Sequence, residues 1–143
     1  MNPLASICII SPLHVYQPRK TKADVKTILN LNQYRNWDFR VSNLVKQLYK
    51  DQMHKVFDEM NLQGQKFLGP VTVDFTYYKG SNRISDKGNV FAVQSKFLYD
   101  AMVTYGLLQD DNDEFVKQEI IHPTKYDKFN PRCEFKISLV EGL

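Results

Sequence analysis

The sequence predicts an α+β fold in which a mixed β-sheet carries two long helices, in the order β-α-β-α-β-β. Two stretches, 32–64 and 86–106, repeat apolar residues at the three- and four-residue steps of an α-helix. The stretch 71–78 instead alternates apolar and polar residues with the two-residue period of a strand. Strand, helix and strand follow one another, so at least one crossover is parallel and the sheet is mixed.

Length and composition indicate one globular domain over residues 1–143. The chain is 43% hydrophobic and 24% charged, with a net charge of +3 that permits a polyanionic partner without requiring one. Cys8 and Cys133 show no metal-binding spacing and are expected to be buried, reduced thiols. Neither a signal peptide nor an apolar segment of membrane-spanning length is present. We therefore expect a cytoplasmic protein without a membrane partner, in a host's cytoplasm if the gene is phage-borne.

The first elements are a strand, a long loop and a helix. The run "LASICIIS" is typical of a strand covered on both faces, and Pro12 ends it. Residues 13–31 are polar and basic and predict a loop with a short strand at "KTILNL". The following helix has Asn36 as its expected N-cap and Gly64 as its stop. Its predicted apolar stripe consists of Val41, Leu44, Val45, Leu48, Val56, Phe57 and Met60.

The second half of the chain predicts a strand, a helix and two further strands. Asp74 lies on the polar side of "GPVTVDFTYYKG", where a mid-strand acid belongs either to solvent or to a site. The helix over 86–106 should stop at Gly106, with a buried stripe of Val90, Phe91, Phe97, Leu98, Ala101, Met102 and Tyr105. Its other side aligns Asn89, Val93, Lys96 and Asp100. A strand after "LLQDD" and a final strand at "RCEFKISLV", with Cys133, Phe135, Ile137 and Leu139 inward, complete the sheet.

Several kinds of chemistry are disfavoured by the motifs. No stretch fits a phosphate-binding loop, so no nucleotide cofactor is expected. The histidines His14, His54 and His122 are scattered and without partners at triad or metal spacing. No Ser or Cys occupies a nucleophile-elbow context.

Acidic residues form the concentrated signal. Asp110, Asp111 and Asp113 lie in one turn, which could be a solvated acidic turn or, together with Asp86, half of a metal site. Carboxylate oxygens suit Mg²⁺ or Mn²⁺, and basic loops beside such an ion are typical of phosphodiester cleavage. In that case Lys96 would supply a fixed cation. The helix separates its two ends by about 30 Å, so a shared site requires the chain to turn back, and this makes Glu119 a further ligand candidate.

These residues resemble a known family. "DKGNVFAVQSKFLYDAMVTYGLLQDD" is similar to the signature of RusA-type crossover junction endodeoxyribonucleases, including phage members. Lys96, Asp100, Gly106, Asp110 and Asp111 keep the mutual spacing of that signature, and "LNLNQYRNW" resembles the family's Asn-rich loop. The resemblance extends from about residue 30 to the end of the chain.

The resemblance implies a homodimeric Mg²⁺-dependent enzyme that resolves four-way (Holliday) DNA junctions. Asp86, Lys96 and Asp111 match catalytic positions, and Asp86, Asp110 and Asp111 are the expected metal ligands. The middle acid of the family's Asp-x-Asp is replaced by Gly88, and about four extra residues precede Lys96. Asp74, Asp110 or Glu119 could replace that acid. The alternative function is a catalytically impaired module that binds junctions.

Basic and amide side chains are the expected DNA contacts. As a group, basic residues in loops favour phosphate binding over simple solvation. The predicted DNA-binding residues are Asn32, Arg35, Lys79, Arg83, Lys87, Asn89 and Arg132, with Arg19, Lys20, Lys22 and Lys125 as further candidates for phosphate contacts. A third possibility is a protein-interaction domain with an acidic turn, which would not bind DNA.

Overall fold

A computed structural model describes residues 2–140 and confirms the predicted α+β class, with a mixed sheet and two long helices. The helices are α1 (Leu31–Tyr34), α2 (Phe39–Glu59) and α3 (Lys87–Tyr105). The strands are β1 (Asn2–Pro3), β2 (Ser6–Ser11), β3 (His14–Gln17), β4 (Val25–Ile28), β5 (Gln65–Lys66), β6 (Val71–Lys79), β7 (Val116–Ile121), β8 (Lys125–Tyr126) and β9 (Arg132–Leu139).

The main sheet has the strand order β2-β9-β6-β7, and β8 extends the β7 side of β6. β9 is antiparallel to both of its neighbours. β7 is parallel to β6, and α3 makes the crossover between them. The mixed sheet expected from the strand–helix–strand order is therefore present. Among the described helices, none is long and apolar enough to cross a membrane.

Both long helices pack on one face of the sheet. Ile9, Phe135 and Phe75 pair across β2, β9 and β6, and all three side chains are fully buried. Phe91 of α3 contacts the Phe75 ring, and Tyr49 of α2 contacts Phe97 of α3. The buried residues form a single cluster between the helices and this face.

The opposite face of the sheet is open, which corrects two expectations for β2. Side chains alternate along this strand, so Ile7 and Ile9 are buried whereas Ile10 is 56% exposed. Cys8 is exposed on the open face, and the prediction of two buried thiols holds for Cys133 alone. Burial raises the pKa of the Cys133 thiol well above its usual range. An apolar run in an edge strand therefore did not mean burial on both sides.

The predicted loop 13–31 contains more structure than one short strand. β3 and β4 form an antiparallel hairpin that pairs His14 with Ile28 and Gln17 with Val25. The two ends of the hairpin are joined by a hydrogen bond, in which the Leu29 amide after β4 donates to the Leu13 carbonyl before β3 at 2.9 Å. α1 then begins after Asn30, whose side chain accepts from the Gln33 amide. The chain therefore returns to the end of β2 before α2 begins.

The limits and the buried stripe of α2 differ from the prediction. Its N-cap is Asp38, not Asn36, because Asn36 belongs to the turn after α1, where its amide donates to the Gln33 carbonyl. α2 ends at Glu59, before Asn61 and Gly64 adopt positive φ. The buried residues follow strict four-residue steps, Val45, Tyr49, Met53 and Phe57, whereas the predicted Leu44 and Met60 are exposed.

The ends of α3 agree with the sequence. Asp86 caps its start, and Gly106 ends it in the left-handed conformation at φ 98°. Its sides do not divide into a buried and a polar half. Val93, expected on the polar side, is buried, as are Gln94 and Ser95. Phe91 and Tyr105, expected in the buried stripe, are only partly covered. α3 is covered on most sides because α1, α2 and the sheet all contact it.

Three buried polar side chains connect β2 to both long helices. The Ser11 hydroxyl bonds to the Tyr49 hydroxyl of α2 at 2.7 Å and donates to the Gln94 Oε1 of α3 at 2.5 Å. Gln94 Nε2 donates to the Pro12 carbonyl at 2.7 Å. Every polar group of this network has a partner, which is the condition under which buried polar groups avoid a desolvation penalty.

We expect Gln94→Leu to lower the free energy of unfolding by about 2 kcal/mol, because the hydroxyl pair Ser11–Tyr49 loses its acceptor and the partly buried Pro12 carbonyl loses its donor. Urea unfolding followed by circular dichroism measures the change. The matched control is Gln47→Leu on the exposed side of α2, which should change stability by less than about 0.5 kcal/mol. Equal effects of the two substitutions would contradict a structural role for the network.

Candidate functional site

A polar cleft lies where the C-terminal end of β6, the start of α3 and the segment before α1 meet. Its volume is about 230 Å³, and its lining residues are Asn30, Asn32, Tyr77, Ile84, Ser85, Asp86, Asn89 and Val90. The structure thus brings together three residues of the predicted site, Asn32, Asp86 and Asn89. Asn32 is separated from the other two by more than fifty positions along the sequence.

Asp86 has a structural role within this cleft. One carboxylate oxygen, Oδ1, accepts from the Gly88 amide at 3.0 Å and from the Asn89 amide at 3.2 Å, which caps α3. The other oxygen, Oδ2, has no hydrogen bond within the described chain. Asp86 is exposed, so Oδ2 is the carboxylate oxygen that the cleft offers to a ligand.

Lys96 lies two helical turns beyond Asn89, about 10 Å along α3. Its ammonium donates to the Tyr34 hydroxyl at 3.0 Å and lies 5.1 Å from the centre of the Tyr34 ring. This hydrogen bond lowers the pKa of the Tyr34 phenol, although partial burial acts in the opposite direction. α1 therefore fixes the position of the Lys96 cation on the same side of α3 as the cleft. Asp100, one turn further on, is paired with Lys50 at 3.2 Å.

The acidic turn lies at the other end of α3. α3 has 19 residues, which separates its ends by about 28 Å. β7 begins at Val116 beside Val71, so the chain after the turn enters the sheet at the start of β6, whereas Asp86 follows its end. Asp110 accepts hydrogen bonds from the Asp111 amide and the Asn112 side chain, and both acids are exposed. A site that includes both Asp86 and Asp111 is therefore not formed within one chain.

The two additional ligand candidates lie on opposite faces of the sheet. Asp74 is on the open face, where its carboxylate bonds to His122 Nε2 at 2.7 Å. Glu119 pairs with Val73 and accepts from the Tyr99 hydroxyl of α3 at 2.6 Å. Burial and this contact raise the pKa of Tyr99 well above its usual range. Neither acid lines the cleft. The contact between His122 and Asp74 joins β6 to the residue that follows β7 and was not indicated by their spacing in the sequence.

Several predicted DNA-binding residues lie beside the cleft. Lys79 is the last residue of β6, and its ammonium donates to the Arg83 carbonyl at 2.9 Å. Arg83 is exposed in the loop 80–86, and Lys87 is the first residue of α3. The three cations therefore follow the chain from the end of β6 to the start of α3.

Arg132 differs from the other predicted DNA contacts because its charge is already compensated. Its guanidinium bonds to Asp127 at 2.8 Å and to Glu134 at 2.7 Å, and it stacks 3.9 Å from the centre of the Tyr78 ring. Its side chain is only 16% exposed. Its main contribution is therefore to hold the loop 127–131 onto the sheet.

The remaining basic candidates are distributed over other surfaces. Arg35 is exposed at the end of α1. Arg19, Lys20 and Lys22 are exposed between β3 and β4, where Arg19 donates to the Ala23 carbonyl. Lys125 of β8 pairs with Tyr78 of β6, and its ammonium lies 5.7 Å from the centre of the Tyr78 ring.

The ligand chemistry of the cleft consists of oxygen atoms and amides. Asp86, Ser85 and the three asparagines offer the oxygen donors that Mg²⁺ accepts, but they include a single carboxylate. Among residues 2–140, no three His, Cys, Asp or Glu side chains lie together in an arrangement able to hold a metal ion. Amide and carboxylate groups of this kind can also hydrogen-bond to phosphates and base edges.

Two features of this end of the molecule were missed by the sequence reasoning. Asn30 lines the cleft and caps α1, and Tyr34 holds Lys96. The repeated asparagines of "LNLNQY" are the available signal, since Asn before a helix is a preferred N-cap. A larger hollow of about 620 Å³ on the open face was also missed, and its lining includes Cys8, Ile10, Asp74, His122 and Lys136.

Comparison with known proteins adds no family. A scan against protein-family models gives no match, and a search of curated proteins gives none either. The resemblance to junction endonucleases stays a prediction that rests on the residues quoted above.

The capping role of Asp86 can be separated from its negative charge. We expect Asp86→Asn to change the free energy of unfolding by less than about 0.5 kcal/mol, because Asn also caps helices, whereas Asp86→Ala should cost about 1 kcal/mol. Urea unfolding of both variants measures the difference. Similar losses from Asn and Ala would show that the charge, not the cap, stabilises α3.

Proposed function

We propose that this chain is a magnesium-dependent endonuclease that cuts branched DNA, of the four-way junction type, and acts as a homodimer. The observation that carries the proposal is the polar cleft, in which Asn32, Asp86 and Asn89 meet with Lys79, Arg83 and Lys87 alongside. Asn32, Asp86 and Asn89 come from the two segments that resemble the junction endonucleases. Their meeting in space is what a shared DNA-contacting site requires.

The electrostatics of this end of the molecule are consistent with a DNA backbone. Lys79, Arg83 and Lys87 lie within nine positions of one another, and Lys96 is held nearby by Tyr34. Cations at such positions bind phosphates and release counterions, which makes binding depend strongly on salt. The asparagine side chains of the cleft can donate and accept hydrogen bonds at the same time.

A homodimer can unite the acids that one chain keeps apart. About 28 Å separate the two ends of α3, so Asp86 and Asp111 cannot bind one ion in the same chain. In a twofold dimer with antiparallel α3 helices, the start of one helix can meet the end of the other. Each of the two sites would then combine Asp86 of one chain with the acidic turn of the second chain.

The reaction is hydrolysis of a phosphodiester. Water attacks phosphorus, the bond from phosphorus to one sugar oxygen breaks, and that oxygen leaves with a proton. Asp86 of one chain and the acidic turn of the other, with Asp110 and Asp111, would hold the divalent ion, which when bound would supply activation of the water and charge stabilisation at the leaving oxygen. The Lys96 ammonium, held at the Tyr34 hydroxyl, can stabilise negative charge on the phosphate.

We expect the purified protein to cut a synthetic four-way junction with Mg²⁺ and not with EDTA. Asp111→Asn should lower the cutting rate by more than about 100-fold, because it removes a metal ligand, while junction binding stays similar. The matched control is Asp113→Asn, an exposed acid of the same turn, which should keep full activity. Full activity of Asp111→Asn would reject the assignment of Asp111.

Mixing two inactive variants tests whether the site is shared between chains. When Asp86→Asn and Asp111→Asn chains are co-expressed with different tags, half of the sites in each mixed dimer contain both wild-type acids if the site is shared. We expect the purified mixed dimer to recover nicking of one strand, whereas each variant alone stays inactive. If each site lies within one chain, every site in the mixed dimer carries one substitution and nicking does not recover.

The second candidate function is a module that binds junctions without cutting them. Gly88 favours it, since this residue stands where the related signature has an acid. A Cβ at position 88 would lie 3.2 Å from Asp86 Oδ1, so a side chain there would crowd the capping carboxylate. Salt-sensitive junction binding without cleavage by any divalent ion would identify this function. Absence of DNA binding would favour the third possibility, a protein-interaction domain.

A further inference from the structure

Two large apolar side chains project into solvent from neighbouring loops beside the cleft. Phe129, in the loop 127–131, is 92% exposed, and Ile84, in the loop 80–86, is 102% exposed relative to an extended reference. Among the exposed large hydrophobic residues of the described chain, these two have the highest exposure. Burying such surface against a partner would be favourable, because it removes apolar area from water.

The loop that carries Phe129 is held in place by hydrogen bonds. Asp127 Oδ1 accepts from the amides of Phe129 and Asn130 at 3.2 and 3.1 Å. The Arg132 guanidinium donates to Asp127 Oδ2 and to the Asn130 carbonyl, both at 2.8 Å. Arg132 is itself stacked on Tyr78 of β6. Phe129 is therefore presented to solvent by a preorganised turn, so little conformational entropy is lost when a partner covers it.

The two loops meet at the end of β6, where the cleft also lies. The Asp127 amide donates to the Lys79 carbonyl at 2.9 Å, which joins the end of β6 to the start of the second loop. A Cβ on Gly80 would lie 2.6 Å from Pro131 Cγ, so the loops touch at this point. Ile84 also lines the cleft beside Asp86. The apolar residues and the polar cleft therefore face the same end of the sheet.

The charges around these side chains identify the class of partner. Arg83 and Lys128 are the sequence neighbours of Ile84 and Phe129, and the Lys128 ammonium lies 6.0 Å from the centre of the Phe129 ring. Of the acids of this region, Asp127 is paired with Arg132, and Asp86 uses one carboxylate oxygen to cap α3. Exposed apolar and aromatic groups among cations match a ligand that has both anionic phosphates and flat apolar faces, which describes a nucleic acid with accessible bases.

We propose that Phe129 stacks against bases that are unstacked at the branch point of DNA, with Ile84 as a second apolar contact on the adjoining loop. The inference rests on the proposed function and adds a position that recognises structure rather than sequence. At a branch point the helical stack is interrupted, so base faces are accessible there that a linear duplex keeps covered. Stacking on an aromatic ring tolerates any base, because every base has a π face.

The experiment uses a fluorescein-labelled four-way junction and a linear duplex of the same length, in EDTA to prevent cutting. A second junction carries 2-aminopurine at the branch point, whose fluorescence reports unstacking from neighbouring bases. We expect Phe129→Ala to weaken junction binding by about tenfold, to change duplex binding by less than about twofold, and to abolish the 2-aminopurine response. Phe129→Trp, which keeps an aromatic face, should retain both.

Leu68→Ala is the matched control, because Leu68 is 63% exposed just before the start of β6, at the opposite end of the sheet. It should bind both DNAs as the wild type does. Unchanged junction binding and an unchanged 2-aminopurine response in Phe129→Ala would overturn the inference and leave the proposed function standing. No junction binding by the wild type would overturn both. Wild-type binding to anionic phosphatidylserine vesicles that Phe129→Ala abolishes, with junction binding unaffected, would assign Phe129 to a membrane instead.

Discussion

The buried hydrogen bonds among Ser11, Tyr49 and Gln94 fix the relative positions of the first strand and the two long helices. Ser11 pairs with Cys133, which pairs with Tyr77 of the cleft, so the network lies in the strand row that leads to the cleft. Gln94 also holds the Pro12 carbonyl as the chain leaves β2. The next residue, Leu13, accepts from the Leu29 amide, and Asn30 follows at once. The position of the Asn-rich segment beside Asp86 therefore depends on this network.

Much of the fold could be predicted from the sequence because it depends on local patterns. The limits of α3 follow from Asp86 and Gly106, a capping residue and a glycine that tolerates positive φ. The buried side of β6 follows from strict alternation. What could not be predicted depends on tertiary contacts. Gln94 is polar and yet buried, since its partners come from segments about eighty positions away. Asn36 and Asp38 are both good N-caps, and the formation of α1 decided between them.

The candidate site likewise has some features that the sequence predicts and others that depend on tertiary contacts. The meeting of Asn32 with Asp86 and Asn89 was expected only through the family resemblance, because hydrophobic periodicity carries no information on which loops meet. The compensation of Arg132 by Asp127, Glu134 and Tyr78 was not visible either. In the sequence, Arg132 is one of several basic residues in a loop, and it was therefore predicted to contact DNA. Its neighbours across the sheet and in the adjoining loop make it a structural residue, and the exposed cations of the loop 80–86 keep the capacity to bind phosphates.

The length of α3 is the constraint that limits every functional interpretation. A covered, regular helix cannot bend back to bring its ends together, so Asp86 and the acidic turn serve separate sites in one chain or a common site between two chains. The positions of Phe129 and Ile84, by contrast, do not depend on a second chain. Phe129, Ile84 and the cleft lie at one end of one sheet, joined by the Lys79–Asp127 and Gly80–Pro131 contacts. Under the proposed function, recognition of a branch point needs a single chain, whereas cleavage by both acids needs two. Under the proposed function, binding and cutting would consequently differ in their dependence on dimer formation.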